Sequence, residues 1–380
     1  MHLEVEQVRR PTPIPSLYGG EFSESSELSE LSDKKQIMSK LFPNNKPTAM
    51  SAKPLHRGRG LGWVLLFLLL AACGSKQPKS TAQPQAAVVV PTFNADSAYH
   101  YTAGQVAFGP RVPNSEAHRA CGDWLEAELK RLGAQVTAQN VTLRAYDGTI
   151  LAARNIIGSY KPELKKRVLL CAHWDSRPWA DADPDPKNHY TPILGANDGA
   201  SGVGVLLEVA RQLKAHPTDI GIDIIFFDAE DYGEHENSNE KVEGMAWCLG
   251  SQYWARVPHT EGYMARFGIL LDMVGGKDAR FHREGYSDYF AKHIVDKVWT
   301  AAHASGNGQW FPYADGGVIT DDHLPVNQIA RIPCIDIIGH YPETGFAPTW
   351  HTMDDTMDNI DPTVLRAVGQ TVLQVIYNEK

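Results

Sequence analysis

Beyond about residue 93 the chain alternates two patterns of apolar residues. Short runs are apolar at nearly every position, as in RVLLCAHWD (167–175), IDIIFFD (222–228), RFGILLDMVGG (266–276) and IPCIDIIG (332–339). Runs of this length, apolar without alternation, predict strands buried on both faces. Between them lie segments with apolar residues every three or four positions. In 115–133 Cys121, Trp124, Leu125, Leu129 and Leu132 share one face, with Ser115 placed as an N-cap and Gly133 as the stop. In 200–214 the face is Val203, Leu206, Leu207, Ala210 and Leu213. Further helices are predicted over 244–256, 288–305 and 362–379. Residues 134–160 read as two strands around an Asp147-Gly148 turn. Fully apolar strands alternating with amphipathic helices predict an α/β fold, a mostly parallel central sheet covered by helices on both faces.

The N-terminal quarter has neither pattern. Residues 1–49, with stretches such as EFSESSELSELSDKK, have the composition of a disordered segment. Lys53, Arg57 and Arg59 then precede an apolar run over 61–72 that is short for a membrane span and ends in Leu70-Ala71-Ala72-Cys73. This pattern resembles a bacterial lipoprotein signal, residues 50–73, with Cys73 as the lipidated N-terminus of the mature chain. Met50 alone starts a well-proportioned signal, so residues 1–49 read as the product of a misplaced start. Residues 74–92 form a Pro/Gln/Ser/Ala tether, and 93–380 a single catalytic domain. The expectation is an exported, membrane-tethered lipoprotein, periplasmic or outer-membrane associated, held by its lipid anchor. The Cys-Gly-Ser after the run lacks the acidic residue that marks inner-membrane retention.

The chain has 380 residues and a formal charge of −9, with no long basic run, which argues against nucleic acid as a partner. Cys121, Cys171, Cys248 and Cys334 fit no zinc-finger spacing. They read as free thiols, Cys171 and Cys334 lying in apolar strands.

Polar residues cluster where the strands end: His173 and Asp175; Asp228, Glu230 and Asp231; Asp272. In open α/β sheets ligands sit at the carboxyl ends of parallel strands. Asp198, Asp321, Asp322, His323 and His351 complete the set. Singly each has a plain structural reading, Asp198 as a helix N-cap and Asp354 or Asp355 as caps of the last turn. Together they describe a metal site. Two carboxylates and an imidazole with an open fourth position suit catalytic zinc, whereas calcium takes more oxygen ligands. An acid beside a ligand acid, as Glu230 is beside Asp231, can stay free for proton transfer. No G-x-S-x-G elbow or Cys-His signature competes with this chemistry.

The segments AHWDS, GANDGASGVGVLLEVAR, FFDAEDYG, LLDMVGG and WHTMDD, in that order, resemble the zinc aminopeptidase clan. TDDHLP (320–325), PTWHTMDDT (348–356) and LGSQYWA (249–255) resemble its glutaminyl cyclase branch in bacterial form. The resemblance implies one Zn2+ per chain held by Asp198, Asp231 and His351. It implies Glu230 as the proton-shuttling acid, Asp272 and Asp321 as acids in a hydrogen-bond network beside it, and Trp350 as a wall of the substrate pocket. In a di-zinc aminopeptidase His173 and Asp272 would hold a second ion. Ala172 stands where animal cyclases carry a Cys, so no disulfide is implied there. Trp247 reads either as a second aromatic wall or as a core residue of the following helix. The implied reaction is cyclisation of an N-terminal glutamine of peptides or proteins to pyroglutamate, with loss of ammonia. Two other readings stay open: a zinc aminopeptidase with Glu230 activating water, and a peptide-binding lipoprotein without turnover, against which the intact acid set argues.

Overall fold

A computed structural model describes residues 89–239 and 244–380. Residues 1–49, the signal segment 50–73 with Cys73, and all but the last few residues of the 74–92 tether lie outside the described residues.

The helices are α1 (Ala95–Val106), α2 (Glu116–Arg131), α3 (Ala200–Ala215), α4 (Leu249–Arg256), α5 (Gly285–Ala304), α6 (His323–Gln328) and α7 (Pro362–Asn378). The strands are β1 (Gln135–Arg144), β2 (Ile150–Tyr160), β3 (Arg167–His173), β4 (Gly221–Phe227), β5 (Gly268–Asp272), β6 (Arg280–Phe281) and β7 (Cys334–His340). They form one sheet in the order β1-β2-β4-β3-β5-β7-β6. The four central strands, β4-β3-β5-β7, are mutually parallel. The outer pairings β1/β2, β2/β4 and β6/β7 are antiparallel.

Every residue of β3, β4 and β5 is buried, which is why these strands lack polar alternation. Period-2 geometry still sorts their side chains. Val168, Leu170 and Ala172, with Ile222, Ile224 and Phe226, enter the larger core under α1, α2, α3, α5 and α7. Leu169, Cys171, Ile225, Phe227 and Leu270 enter a second core with Trp254 of α4 and Val326 of α6. His173 continues the row Leu169–Cys171, and Asp272 continues the row of Leu270. The alternation therefore delivers both polar side chains to the carboxyl edge on the same face. All four described cysteines are buried and unpaired.

Three features depart from expectation. The helix predicted over 244–256 begins only at Leu249, because Gly244 (φ +84) and Cys248 (φ +61) take left-handed conformations that interrupt it. α1 was not legible as a helix; Asn94 caps it by accepting from the Ser97 amide at 3.0 Å. Strand β6, two residues long, gives no periodic signal.

Candidate active site

The loop after β4 carries Glu230 and Asp231, and it is fixed from two sides. Asp175, just beyond β3, accepts from the amides of both Glu230 and Asp231 at 3.2 Å. On the other side the Cys248 amide donates to the Glu230 carbonyl at 3.0 Å, and the Cys248 thiol donates to Glu230 Oε1 at 3.2 Å. Asp228 turns away from the site: it pairs with His118 Nε2 at 2.9 Å and accepts from the Arg154 and Ala229 amides. It supports the turn.

Asp198 precedes α3 in a loop held by Asp355, which accepts from the Asn197 and Asp198 amides at 2.8 and 3.1 Å. Gly199 is required there, since a Cβ would stand 2.4 Å from His173 Nε2. Asp198 makes no side-chain cap to α3; its carboxylate faces the site. His351 Nδ1 lies 3.3 Å from Asp181 Oδ1. Arg177 grips Asp181 through two nitrogens, donates to the Asp231 and Gly233 carbonyls, and lies 4.5 Å over the Trp247 ring. A carboxylate behind the distal nitrogen fixes ring orientation and leaves Nε2 free for a ligand.

Two donor clusters result. His351 Nε2 is 3.2 Å from Asp231 Oδ1 and 3.7 Å from Asp198 Oδ2. His173 Nε2 is 2.9 Å from Asp198 Oδ1 and 3.2 Å from Asp272 Oδ1. Tetrahedral zinc with bonds of about 2.0–2.2 Å sets its ligand atoms roughly 3.3–3.6 Å apart. The first cluster fits that spacing, and Asp231 Oδ2 is buried without a hydrogen-bond partner. Asp198, Asp231 and His351 are therefore suited to the ion. Asp198 also presents its second oxygen to the His173–Asp272 side.

The electrostatics point the same way. Burial, reinforced by Asp198, pushes the Asp231 carboxyl up to about 6. Burial and the neighbouring Asp272 push Asp321 up to about 7. Burial raises Glu230 well above the usual carboxylate range; Asp321, Asp231 and Asp322 add to it and His173 opposes it. Burial also raises Asp272. Desolvation works against the charged form of His351 too, but Asp231 and Asp181 outweigh it and hold the imidazole at about 9. So many acids in a dry site lack compensating positive charge, which a divalent cation supplies.

The acids open onto a cavity of about 310 Å3 whose polar floor includes Glu230, Asp272 and Asp321. Its apolar wall is made by Trp247, Trp350, Phe346, Val318 and Ile319. Trp247 lies parallel to the His351 ring at 6.0 Å, so it is a wall of the cavity rather than a residue of α4, which starts two positions later. Trp174 is fully buried against His118, and Trp179 sits edge-on among Tyr146, Tyr232 and His235. Asp322 and His323 are buried behind the cavity, with His323 Nε2 3.2 Å from Glu284. From sequence, Arg177 and Asp181 carry no reading, and Asp355 and Cys248 read only as a turn cap and a free thiol, whereas the structure ties these last two to the Asp198 and Glu230 loops. Asp181 and Asp355 do fall in acidic stretches, ADADPDP and WHTMDD.

This sheet, with its paired carboxylate–imidazole clusters at the carboxyl edge, has the zinc aminopeptidase-like architecture, and the chain belongs to Peptidase family M28, whose model matches residues 155–376. Among solved structures it is similar to Bacteroides thetaiotaomicron glutaminyl cyclase bound to N-acetylhistamine: 63% identity, TM-score 0.76, covering 77% of this chain and 100% of that one. It is also similar to a Zn-dependent exopeptidase from Parabacteroides distasonis: 60% identity, TM-score 0.76, covering 77% of this chain and 100% of that one. Among curated relatives, the glutaminyl-peptide cyclotransferase of Bos taurus is 25% identical over 295 residues, 71% of this chain and 78% of that protein. Aminopeptidase YwaD of Bacillus subtilis is 29% identical over 280 residues, 70% of this chain; the chain spans about half of that relative, 54%.

Proposed function

We infer that the protein is a zinc-dependent glutaminyl-peptide cyclotransferase, an acyltransferase that closes the N-terminal glutamine of peptides or proteins to pyroglutamate. The observation that carries the reading is the small aromatic-walled cavity holding Glu230 beside a complete ligand triad without Glu230 being part of it. Glutaminyl cyclases among the solved neighbours support it.

In this reaction the α-amine nitrogen bonds to the γ-carboxamide carbon, that carbon's bond to its amide nitrogen breaks, and ammonia leaves. Asp198, Asp231 and His351 would hold the zinc, which supplies Lewis-acid polarisation of the γ-carbonyl. Glu230 takes the proton shed by the attacking amine and gives it to the departing nitrogen, so the site ends as it began. Its raised pKa suits a group that must both accept and return a proton near neutrality. Asp321 beside this acid helps hold it protonated, and Asp272 in turn raises Asp321. Trp350, Trp247 and Phe346 confine the glutamine side chain in its near-attack conformer. They also exclude water, which would otherwise compete for the same carbon.

One zinc per chain is part of this proposal; the acidic company of Asp321 supports placing Asp272 in the proton network. A second reading, zinc aminopeptidase, is favoured by one observation, the intact His173–Asp198–Asp272 cluster. Purified protein supplied with Gln-peptides and with Ala- or Leu-arylamides separates the two. Ammonia release from Gln-peptides with one bound zinc is expected. Free arylamine with two bound zincs overturns the cyclase reading, and neither product leaves a binding protein.

The proposal extends to location. The basic segment and apolar run ending in Leu-Ala-Ala-Cys support lipidation at Cys73, with the catalytic domain held at a membrane by that lipid. Among the described residues no helix is long and apolar enough to cross a membrane.

A further inference from the structure

We propose that Cys248, Glu230 and Asp321 form a second, inhibitory cation site that takes a thiophilic divalent ion, cadmium or zinc in excess. It shares no side chain with the Asp198–Asp231–His351 triad. A sulfur and two carboxylate oxygens from these residues lie within 4.8 Å of one another. Cys248 Sγ is already 3.2 Å from Glu230 Oε1. Asp321 is 97% buried (3% exposed), and its Oδ2 has no hydrogen-bond partner. Glu230 and Asp321 both line the cavity, so an ion enters from there, with Cys248 behind them and a fourth position open to water.

The donor set decides the ion. A thiolate with two carboxylates suits zinc or cadmium and discriminates against magnesium and calcium, which prefer all-oxygen shells. In the resting site the thiol stays protonated and donates to Glu230. On binding, its proton passes to solvent and the metal takes its place, relieving the like charge of Glu230 and Asp321. Such an ion removes Glu230 from proton transfer. The inhibitory consequence rests on the catalytic role proposed above; the binding does not.

The test titrates the zinc-loaded protein with cadmium chloride. A thiolate-to-cadmium absorption saturating at one equivalent is expected, with the original zinc retained and Gln-peptide turnover falling in parallel. Cys248→Ser abolishes the absorption and weakens inhibition at least about ten-fold, relative to that variant's own cadmium-free activity. Asp321→Asn weakens cadmium binding, and Cys171→Ser, which removes a buried thiol elsewhere, changes neither signal. Absorption undiminished in Cys248→Ser, or zinc displaced one for one by cadmium, overturns the site. If Cys248→Ser does not fold, zinc retention and absorption in the unmodified protein decide the question alone. Saturable absorption with full turnover upholds the site and contradicts the role given to Glu230.

Discussion

Glu230 and Asp231 are adjacent and chemically alike, yet their surroundings divide them. Asp231 faces His351, while Glu230 faces Cys248 and the acids of the cavity. Glu230→Gln should keep zinc and shape but lower turnover about 10²–10⁴-fold, the usual worth of a general acid–base. Near-normal turnover with the metal retained contradicts the assignment. His351→Ala should lose the metal itself, read as zinc per chain after dialysis. Asp355→Ala strips the acceptor from two buried amides and frees the Asp198 loop. A loss of about 1–3 kcal/mol in stability and 10–100-fold in zinc affinity is expected, measured by urea unfolding and competition with a chelating dye. Much of this chemistry was legible in the chain, because acids and histidines stand where apolar runs stop. The supporting residues were not: Asp355 meets Asn197 at a separation of 158 positions, and nothing local marks that pairing.

At the scale of elements, the site depends on parallel strands ending in register, His173 opposite Phe227. Two loops are drawn in against them. One is the Asp198 loop, where Gly199 lets the backbone pass against the His173 ring. Gly199→Ala is expected to cost about 1–3 kcal/mol through overpacking and to weaken zinc binding in the same preparation. Unchanged stability and affinity would show that the loop relaxes freely. The other carries Glu230 and is tied to Cys248. Strands and long helices could be read from periodicity. The 244–256 segment could not, since its helical apolar spacing gives no warning that Gly244 and Cys248 turn left-handed. α1 was missed for a related reason: ADSAYHYTAGQV mixes polar and small residues, and its buried set includes Thr102 and Gln105.

For the molecule as a whole, the buried acids set how stability depends on pH. Asp231 is raised to about 6, and Asp321 and Asp355 to about 7, from an ordinary 3.8. His351 is raised to about 9 from 6.5. Without metal the fold therefore binds more protons than the unfolded chain from about pH 4 to 9, and its stability falls as pH rises through that window. Asp198 is shifted the other way: burial raises it, but His173 together with His351 and Arg177 outweighs burial, so its contribution is lost only at acid pH. Zinc replaces those protons, so the rise in Tm on adding zinc should widen from pH 5.5 to pH 8. A gap that stays constant or narrows contradicts the ligand set. On the proposed lipidation, wild-type protein is expected in the membrane fraction of cells and Cys73→Ala without the attached lipid, read by mass spectrometry, with catalysis unaffected in detergent extracts; identical masses at the N-terminus would contradict it.

The central claim is that an amine already tethered within the substrate, and no water molecule, attacks the γ-carbon beside Glu230. Mass spectrometry of a Gln-initiated peptide after turnover in oxygen-18-enriched water tests it directly. A product lighter by one ammonia, of full length and free of heavy oxygen, is predicted. A full-length peptide beginning with glutamate and carrying heavy oxygen, or a peptide shortened by one residue with the label in released glutamine, would contradict it.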